Sequence, residues 1–184
     1  MEVSKEKNIV IDGKNNKPII ADIIFKDDGK PKPIVIFAHG YKGFKDWGAW
    51  EKMGERIAEE GFLFVKFNFS HNGIDQENLT EFLNIEAFGD NNYMIELDDL
   101  QSVIDWILLP NFKFAKQIKA DNIALIGHSR GGGIALLKAA SEKRVTKLIT
   151  LASVADFGSR FPEGKELEAW EKKGVRYIKN SRTG

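Results

Sequence analysis

Residues 122–133, Asn-Ile-Ala-Leu-Ile-Gly-His-Ser-Arg-Gly-Gly-Gly, leave this chain fewer choices than any other stretch. Four apolar residues, Ile123, Ala124, Leu125 and Ile126, read as a buried strand, and residues 133–140 read as a helix. Between them lies Gly127-His128-Ser129-Arg130-Gly131. A strand that turns into a helix over so few residues needs a sharp bend. A Cβ at position 127 or 131 would collide with the neighbouring strand or helix. Strand, Gly-x-Ser-x-Gly, helix is the context of a nucleophile elbow, which lifts one serine hydroxyl above the carboxyl end of its strand. The backbone N–H of Arg130 then heads the helix and points to where negative charge would develop beside Ser129. A plainer reading has the glycines only permitting close packing and Ser129 serving as a helix N-cap. The two readings differ in what the hydroxyl is free to do.

The rest of the chain alternates strands and helices. Residues 8–12 and 19–26 read as an antiparallel pair around the turn residues Gly13, Asn15 and Asn16. Residues 33–38 form a continuous apolar run, expected of a strand buried on both faces. It ends in His39-Gly40-Tyr41-Lys42-Gly43, a loop at the edge where open α/β sheets bind ligands. Trp47, Trp50, Met53 and Ile57 recur at helical spacing, with Asp46 as expected cap, Gly61 as stop and the tryptophans as core. Residues 62–69 read as a strand interrupted by Lys66 and Asn68, and residues 70–92 as a long polar segment over the site. Tyr93, Met94, Leu97, Leu100, Ile104, Ile107 and Leu108 share a helical face, with Glu96, Asp99 and Asp105 away from it, Asp90 as cap and Pro110 as close. After a Lys-rich connector at 111–121 and the elbow, residues 145–151 read as a strand, 162–173 as an amphipathic helix and 175–178 as a short strand. This order predicts an α/β fold, a mostly parallel sheet with helices on both faces.

Composition narrows the possible partners. The 184 residues hold 27 Lys+Arg and 27 Asp+Glu, so no net charge draws the chain to nucleic acid or to an anionic membrane. There are no cysteines, which excludes disulfides and thiolate metal sites. No run approaches the ~18 apolar residues of a membrane span, and the charged first residues lead into no signal-like apolar stretch. A cytoplasmic location is expected. No His/Asp/Glu group has metal-ligand spacing, so no metal is expected. Gly131-Gly132-Gly133 lacks the Lys-Ser/Thr of a phosphate loop, and no cofactor is expected.

On the elbow and the His39-Gly40-Tyr41 loop, the chain resembles the α/β-hydrolase family, most closely small esterases and dienelactone-hydrolase-like or S9/S33-peptidase-like members. The resemblance spans roughly residues 8–160. It implies Ser129 as nucleophile, the backbone N–H groups of Tyr41 and Arg130 as oxyanion hole, and His39, Gly40, Gly127, His128 and Gly131 as supporting motif. The implied activity is cleavage of a carboxylic ester or related acyl bond through an acyl-enzyme. Serine attack needs a base to take its proton, and the oxyanion needs two pre-aimed donors.

The sequence departs from this family in one respect. The triad there runs Ser, Asp or Glu, then His. This chain has three histidines, His39, His71 and His128, and none follows Ser129. His128 sits inside the turn, His39 in the oxyanion loop, and His71 in a loop at the catalytic edge. Asp156 follows the sixth strand and is expected in a turn. The expectation is therefore an α/β-hydrolase core over residues 1–160, the start of a cap segment over 161–184, and a catalytic Asp and His lying outside the chain. Such a chain would be inactive in isolation. The alternative is a non-catalytic fragment or binding module that keeps the fold. The expected partner is a small ester or acyl substrate. The strand 145–151 would form an open sheet edge through which copies could associate.

Overall fold

The structure, a computed structural model, describes residues 2–178. These fall into two compact units that divide after Val154. The first holds a single six-stranded sheet built from β1 (Val3–Ile11), β2 (Ile19–Lys26), β3 (Lys32–Ala38), β4 (Leu63–Asn68), β5 (Ile118–His128) and β6 (Val145–Leu151), in the order β1-β2-β4-β3-β5-β6. β2 is antiparallel to both β1 and β4, and the remaining pairs are parallel, so β2 alone runs against the other five. This is the mostly parallel sheet that the alternating pattern predicts.

Four helices belong to this unit: α1 (Trp50–Glu59), α2 (Ile85–Asp90), α3 (Tyr93–Ile107) and α4 (Arg130–Ser141). The strand order puts β4 on one side of β3 and β5 on the other. Right-handed crossovers then place α1 on one face of the sheet and α3 with α4 on the opposite face. The α1 face is a cluster of Ile24, Val35, Phe37, Ala58, Phe64 and Ile126, with Trp50, Met53 and Ile57 packed on it. β2, β3 and β4 are buried almost throughout, as their largely apolar runs lead one to expect, and the polar residues Asp22, Lys66 and Asn68 are buried with them.

Several local expectations are corrected. β1 begins at Val3 rather than residue 8, because a bulge at Glu6/Ile9 lets a polar strand continue the pairing. Asp46 does not cap α1, whose N-cap is Ala49 without a side-chain bond, because the Asp46 carboxylate is engaged by Lys45 and Lys66. Trp50 packs on Phe37, but Trp47 lies outside the helix and is 50% exposed. Asn92, not Asp90, caps α3 through its side-chain oxygen on the Met94 and Ile95 amides. Asp90 instead closes α2, a short helix that sequence pattern alone did not separate from its loop.

The face of α3 is also rotated from its expected position. Glu96 and Asp99 are buried while Met94 is 68% exposed. The two carboxylates point inward because Arg130 and Ser70 are there to meet them. β6 pairs only with β5 among the described residues, and most of its side chains are exposed, including Ile149 and Leu151.

The second unit carries a 3-10 turn at Gly158–Arg160 and helix α5 (Gly164–Lys173), closed by Gly174 in the left-handed conformation. Phe161 stacks on Trp170 within it, at 5.8 Å between ring centroids. Residues 175–178 form no strand, contrary to expectation, and Arg176 turns back to pair with Glu166.

Candidate active site

The bend between β5 and α4 is tight and strained. Ser129 adopts φ 52° and ψ −118°, a region that L-residues avoid. Its amide donates to Leu151 O at 2.9 Å, and its carbonyl accepts from Gly132 N, Gly133 N and Val154 N. The backbone of the residue is thus tied on both sides. Its side chain is not: Ser129 heads α4 without a side-chain capping bond, and Oγ makes no hydrogen bond among the described residues. A serine that served as an N-cap would accept from an amide two or three residues on.

Glycine is obligatory around this bend for lack of space. A Cβ on Gly127 would stand 2.4 Å from Gly131 O, and one on Gly131 would stand 2.3 Å from His39 O. The second contact shows that the His39 loop runs directly against the elbow. Gly40 confirms the approach, because a Cβ there would lie 3.1 Å from Ser129 Cβ and 3.0 Å from His128 Nδ1. Parallel pairing of β3 with β5, Ala38 opposite Gly127, sets both loops at the same height on the sheet. The structure therefore brings Ser129, His128, Gly127, Gly131, His39 and Gly40 together, and Tyr41 and Arg130 flank them in sequence.

Arg130 is the first residue of α4, so its N–H has no acceptor within the helix and sits at the positive end of the helix dipole. The Tyr41 turn is closed by Gly43 N donating to Gly40 O at 2.9 Å, with Lys42 at φ 57°.

The three histidines are each occupied. His39 is buried; its Nδ1 lies 2.9 Å from Gly40 O, and its Nε2 lies 3.4 Å from both Phe69 N and Asn72 Nδ2. That pattern fits a neutral ring with the proton on Nδ1, and burial pulls its pKa down to about 4. The ring holds the loop at residues 39–43 to the end of β4. His128 packs against the Trp50 ring at 5.3 Å.

His71 Nδ1 lies 2.7 Å from Ser70 Oγ, which also lies 2.8 and 3.0 Å from the two oxygens of Asp99. It rises from the end of β4, and β3 separates β4 from β5, so the two strand ends are about 10 Å apart at normal strand spacing. No histidine is hydrogen-bonded to Ser129 among the described residues. Asp156, in the second unit, accepts from Gly158 N at 2.8 Å in a local turn, which is the place expected for it.

Sequence reading missed Glu96, Asp99 and Asn91. Arg130 Nε donates to Glu96 Oε2 at 3.0 Å, and Asn91 Nδ2 donates to Glu96 Oε1 at 2.9 Å. Burial pushes the Glu96 carboxyl above its usual pKa, and Arg130 and Asn91 oppose that shift. Ser70 N also donates to Asp99 Oδ2 at 2.8 Å, and burial raises the Asp99 pKa to about 7. Both acids sit on one helical turn, Glu96 and Asp99 being three residues apart. The only signal available beforehand was that spacing, since it puts the pair on one face.

A separate cleft of about 220 Å³, lined by Glu6, Ile9, Ile23, Trp106, Phe112 and Phe114 among others, shares no residue with this site. No helix among the described residues is long and apolar enough to cross a membrane.

Known proteins resemble this chain in sequence and in fold. A Mycoplasma genitalium protein provisionally named esterase/lipase 2 is 27% identical over 124 residues, which are 67% of this chain and 38% of that protein. Est1E from Butyrivibrio proteoclasticus superposes with a TM-score of 0.65 at 20% identity, covering 84% of this chain and 54% of its own. Dienelactone hydrolase from Anabaena variabilis gives 0.63 at 16% identity, covering 83% and 65%. The chain thus spans between about a third and two thirds of the length of these relatives. The model of the alpha/beta hydrolase fold matches residues 33–178, from β3 through the elbow and beyond α5, and the chain belongs to that family.

Proposed function

We propose that this chain carries the nucleophile and oxyanion hole of a serine hydrolase acting on carboxylic esters or related acyl bonds. In this reading Ser129 Oγ gives its proton to a base and bonds to the acyl carbon. The amides of Tyr41 and Arg130 take the developing oxyanion, each donor being worth roughly 3 kcal/mol in such sites. Collapse expels the alcohol, which takes up the proton, and leaves an acyl-enzyme. Water then adds to the acyl carbon and frees the acid and Ser129. The observation that carries this reading is the strained Ser129 backbone combined with an unbonded hydroxyl. Strain of this kind is held by the surrounding structure where a side chain must be presented.

None of the three histidines serves as the base. His39 and His128 are engaged in the loop and against Trp50, and His71 stands two strands away. A base must come within about 3 Å of Oγ. Turnover in this reading takes a base from outside these 184 residues, and the chain alone turns over esters slowly or not at all. The same occupancy favours a second reading, a binding module that keeps the fold without catalysis.

Labelling with a fluorophosphonate in the presence of imidazole, a diffusible substitute for the base, separates the two. The expected result is one adduct on the peptide containing Ser129, accelerated by imidazole and absent from Ser129→Ala. If Ser129 stays unlabelled at every imidazole concentration, the binding-module reading stands instead.

A further inference from the structure

We propose that Glu96 and the Arg130 side chain are positioning residues that fix the two oxyanion amides at a set separation, by clamping Arg130 to the ring of Tyr41. The inference rests on the reading of Ser129 as nucleophile. The same two residues proposed to donate the amides also touch each other through their side chains. The Arg130 guanidinium carbon lies 5.1 Å from the centroid of the Tyr41 ring and 4.8 Å from that of Tyr93. Both are within cation–π range. The guanidinium is therefore held by two rings and by the Glu96 carboxylate at 3.0 Å, with only 13% of the Arg130 side chain and 5% of that of Glu96 exposed. Asn91 holds the other oxygen of Glu96.

Electrostatics argue that this arrangement does more than join two helices. A cation at the first residue of a helix faces the positive end of the dipole, an unfavourable place for it. A buried carboxylate is costly unless it is paired and its remaining oxygen is satisfied, and here both conditions are met. Two unfavourable placements thus stabilise each other at the residue that follows Ser129. Tyr41 is backed in turn by Phe88 at 5.3 Å, and Phe88 by Phe82 at 4.6 Å. The segment over the site and the first turn of α3 therefore brace one amide donor against the other. Oxyanion stabilisation depends on donors being in place before charge develops, and misplacement by about 1 Å can lower a rate a hundredfold.

The test compares Glu96→Gln with Lys138→Met in the intact chain. Lys138 Nζ donates to Gln101 at 2.9 Å, so its loss cuts another α3–α4 link that touches neither oxyanion residue. Two readouts are taken: the amide 1H–15N shifts and hydrogen exchange of Tyr41 and Arg130, and the rate of Ser129 phosphonylation with imidazole. Glu96→Gln is expected to move the Tyr41 amide, which Glu96 reaches through the Arg130 guanidinium, and to slow labelling about tenfold or more. Lys138→Met is expected to change neither. Arg130→Lys, which keeps the charge without the planar group, is expected to behave like Glu96→Gln. An unmoved Tyr41 amide in Glu96→Gln, or equal labelling of Glu96→Gln and wild type, overturns the clamp alone. Failure of the wild type to label overturns the Ser129 reading and the clamp's catalytic meaning with it.

Discussion

The β2–β4 pair and the β5–α4 bend belong to one sheet, yet their polar groups are treated in opposite ways. On β2 and β4, Asp22 and Lys66 are direct cross-strand partners and both are wholly buried. Lys66 Nζ lies 2.9 Å from Asp22 Oδ2, 2.9 Å from Glu51 Oε2 and in contact with Asp46. Lys45 Nζ adds a second cation, 2.9 Å from Asp22 and 2.6 Å from Asp46. Even the other oxygen of Asp22 is used, accepting from Asn8 N at 2.8 Å where β1 bulges. Three carboxylates converge here with the geometry of an ion site, but the ammonium groups of Lys45 and Lys66 already lie among them, and Lys5 and Lys7 pair with Glu51 as well. At the bend the backbone is tied just as firmly and the hydroxyl is left over. A fully paired polar cluster fixes which strands meet; an unpaired group held in place is left for chemistry.

The largest effect should come from breaking the paired region. Burial opposes the charge on Lys66, yet its three carboxylate partners hold its pKa above the ordinary lysine value, so it is a cation in the fold. Lys66→Met would leave the buried Asp22 carboxylate and that of Asp46 facing Lys45 alone, with Glu51 held only by Lys5 and Lys7. The expected loss is about 3–5 kcal/mol in urea unfolding, the usual consequence of removing one partner from a buried ionic cluster. A loss below about 1 kcal/mol would mean that the cluster is solvated and not the rivet between β2 and β4 that the contacts imply.

Between these regions lie two buried titrating groups of opposite sign. Asp99, its pKa pushed up to about 7 by burial, favours the fold when protonated. Its contribution is present at low pH and is lost as pH rises from about 4 to 7. His39, its pKa pulled down to about 4 by burial, favours the fold when neutral, so its contribution is lost as pH falls from about 6.5 to 4. Burial lowers the His71 pKa too, and this acts in the same direction as His39. The effects of Asp99 and His39 are each about 3 kcal/mol at most over the shared window, and they oppose each other. Wild-type stability should be nearly flat from pH 4 to 6.5. Asp99→Asn removes one side of the balance and should leave stability rising by about 2–3 kcal/mol over that range. Parallel profiles for the two proteins would refute the assignment.

Much of this was legible in the sequence, and the reasons are specific. Largely apolar runs located β3 and β4, and Gly127-His128-Ser129-Arg130-Gly131 located the bend, because burial and close approach restrict residue type strongly. What escaped notice depends on partners distant in sequence. Glu96 and Asp99 look like solvent-facing helix residues until Arg130 and Ser70 are brought to them. Asp46 looks like a cap until Lys66 claims it. Lys66 and Asn68 stood out as polar breaks in a buried strand, but nothing local indicated that Asp22 would lie opposite Lys66. Periodicity reports which side of an element is apolar. It does not report that a charge on that side has a counter-charge waiting.

The smallest effect is also the one that separates strain from pairing most directly. Ser129 and Asn8 are both non-glycine residues at positive φ, 52° and 58°. Asn8 belongs to the paired region, where its amide is satisfied by Asp22 and its residue type tolerates such backbone. Ser129 has no such tolerance, and a residue held in this region carries about 1–3 kcal/mol of strain. Glycine would remove the strain but lose more entropy on folding, roughly 0.5–1 kcal/mol. Ser129→Gly should therefore gain about 1 kcal/mol over Ser129→Ala, a rise of about 2–4 °C in Tm for a chain of this size. Asn8→Gly should change little. Because both Ser129 variants lack the hydroxyl, the difference between them reports backbone strain less the entropy cost of glycine, free of any hydrogen bond or solvation of Oγ. If Ser129→Gly proves no more stable than Ser129→Ala, the strain at the bend does not exceed the roughly 0.5–1 kcal/mol entropy cost of glycine, and its backbone geometry no longer argues that the hydroxyl is held out for attack.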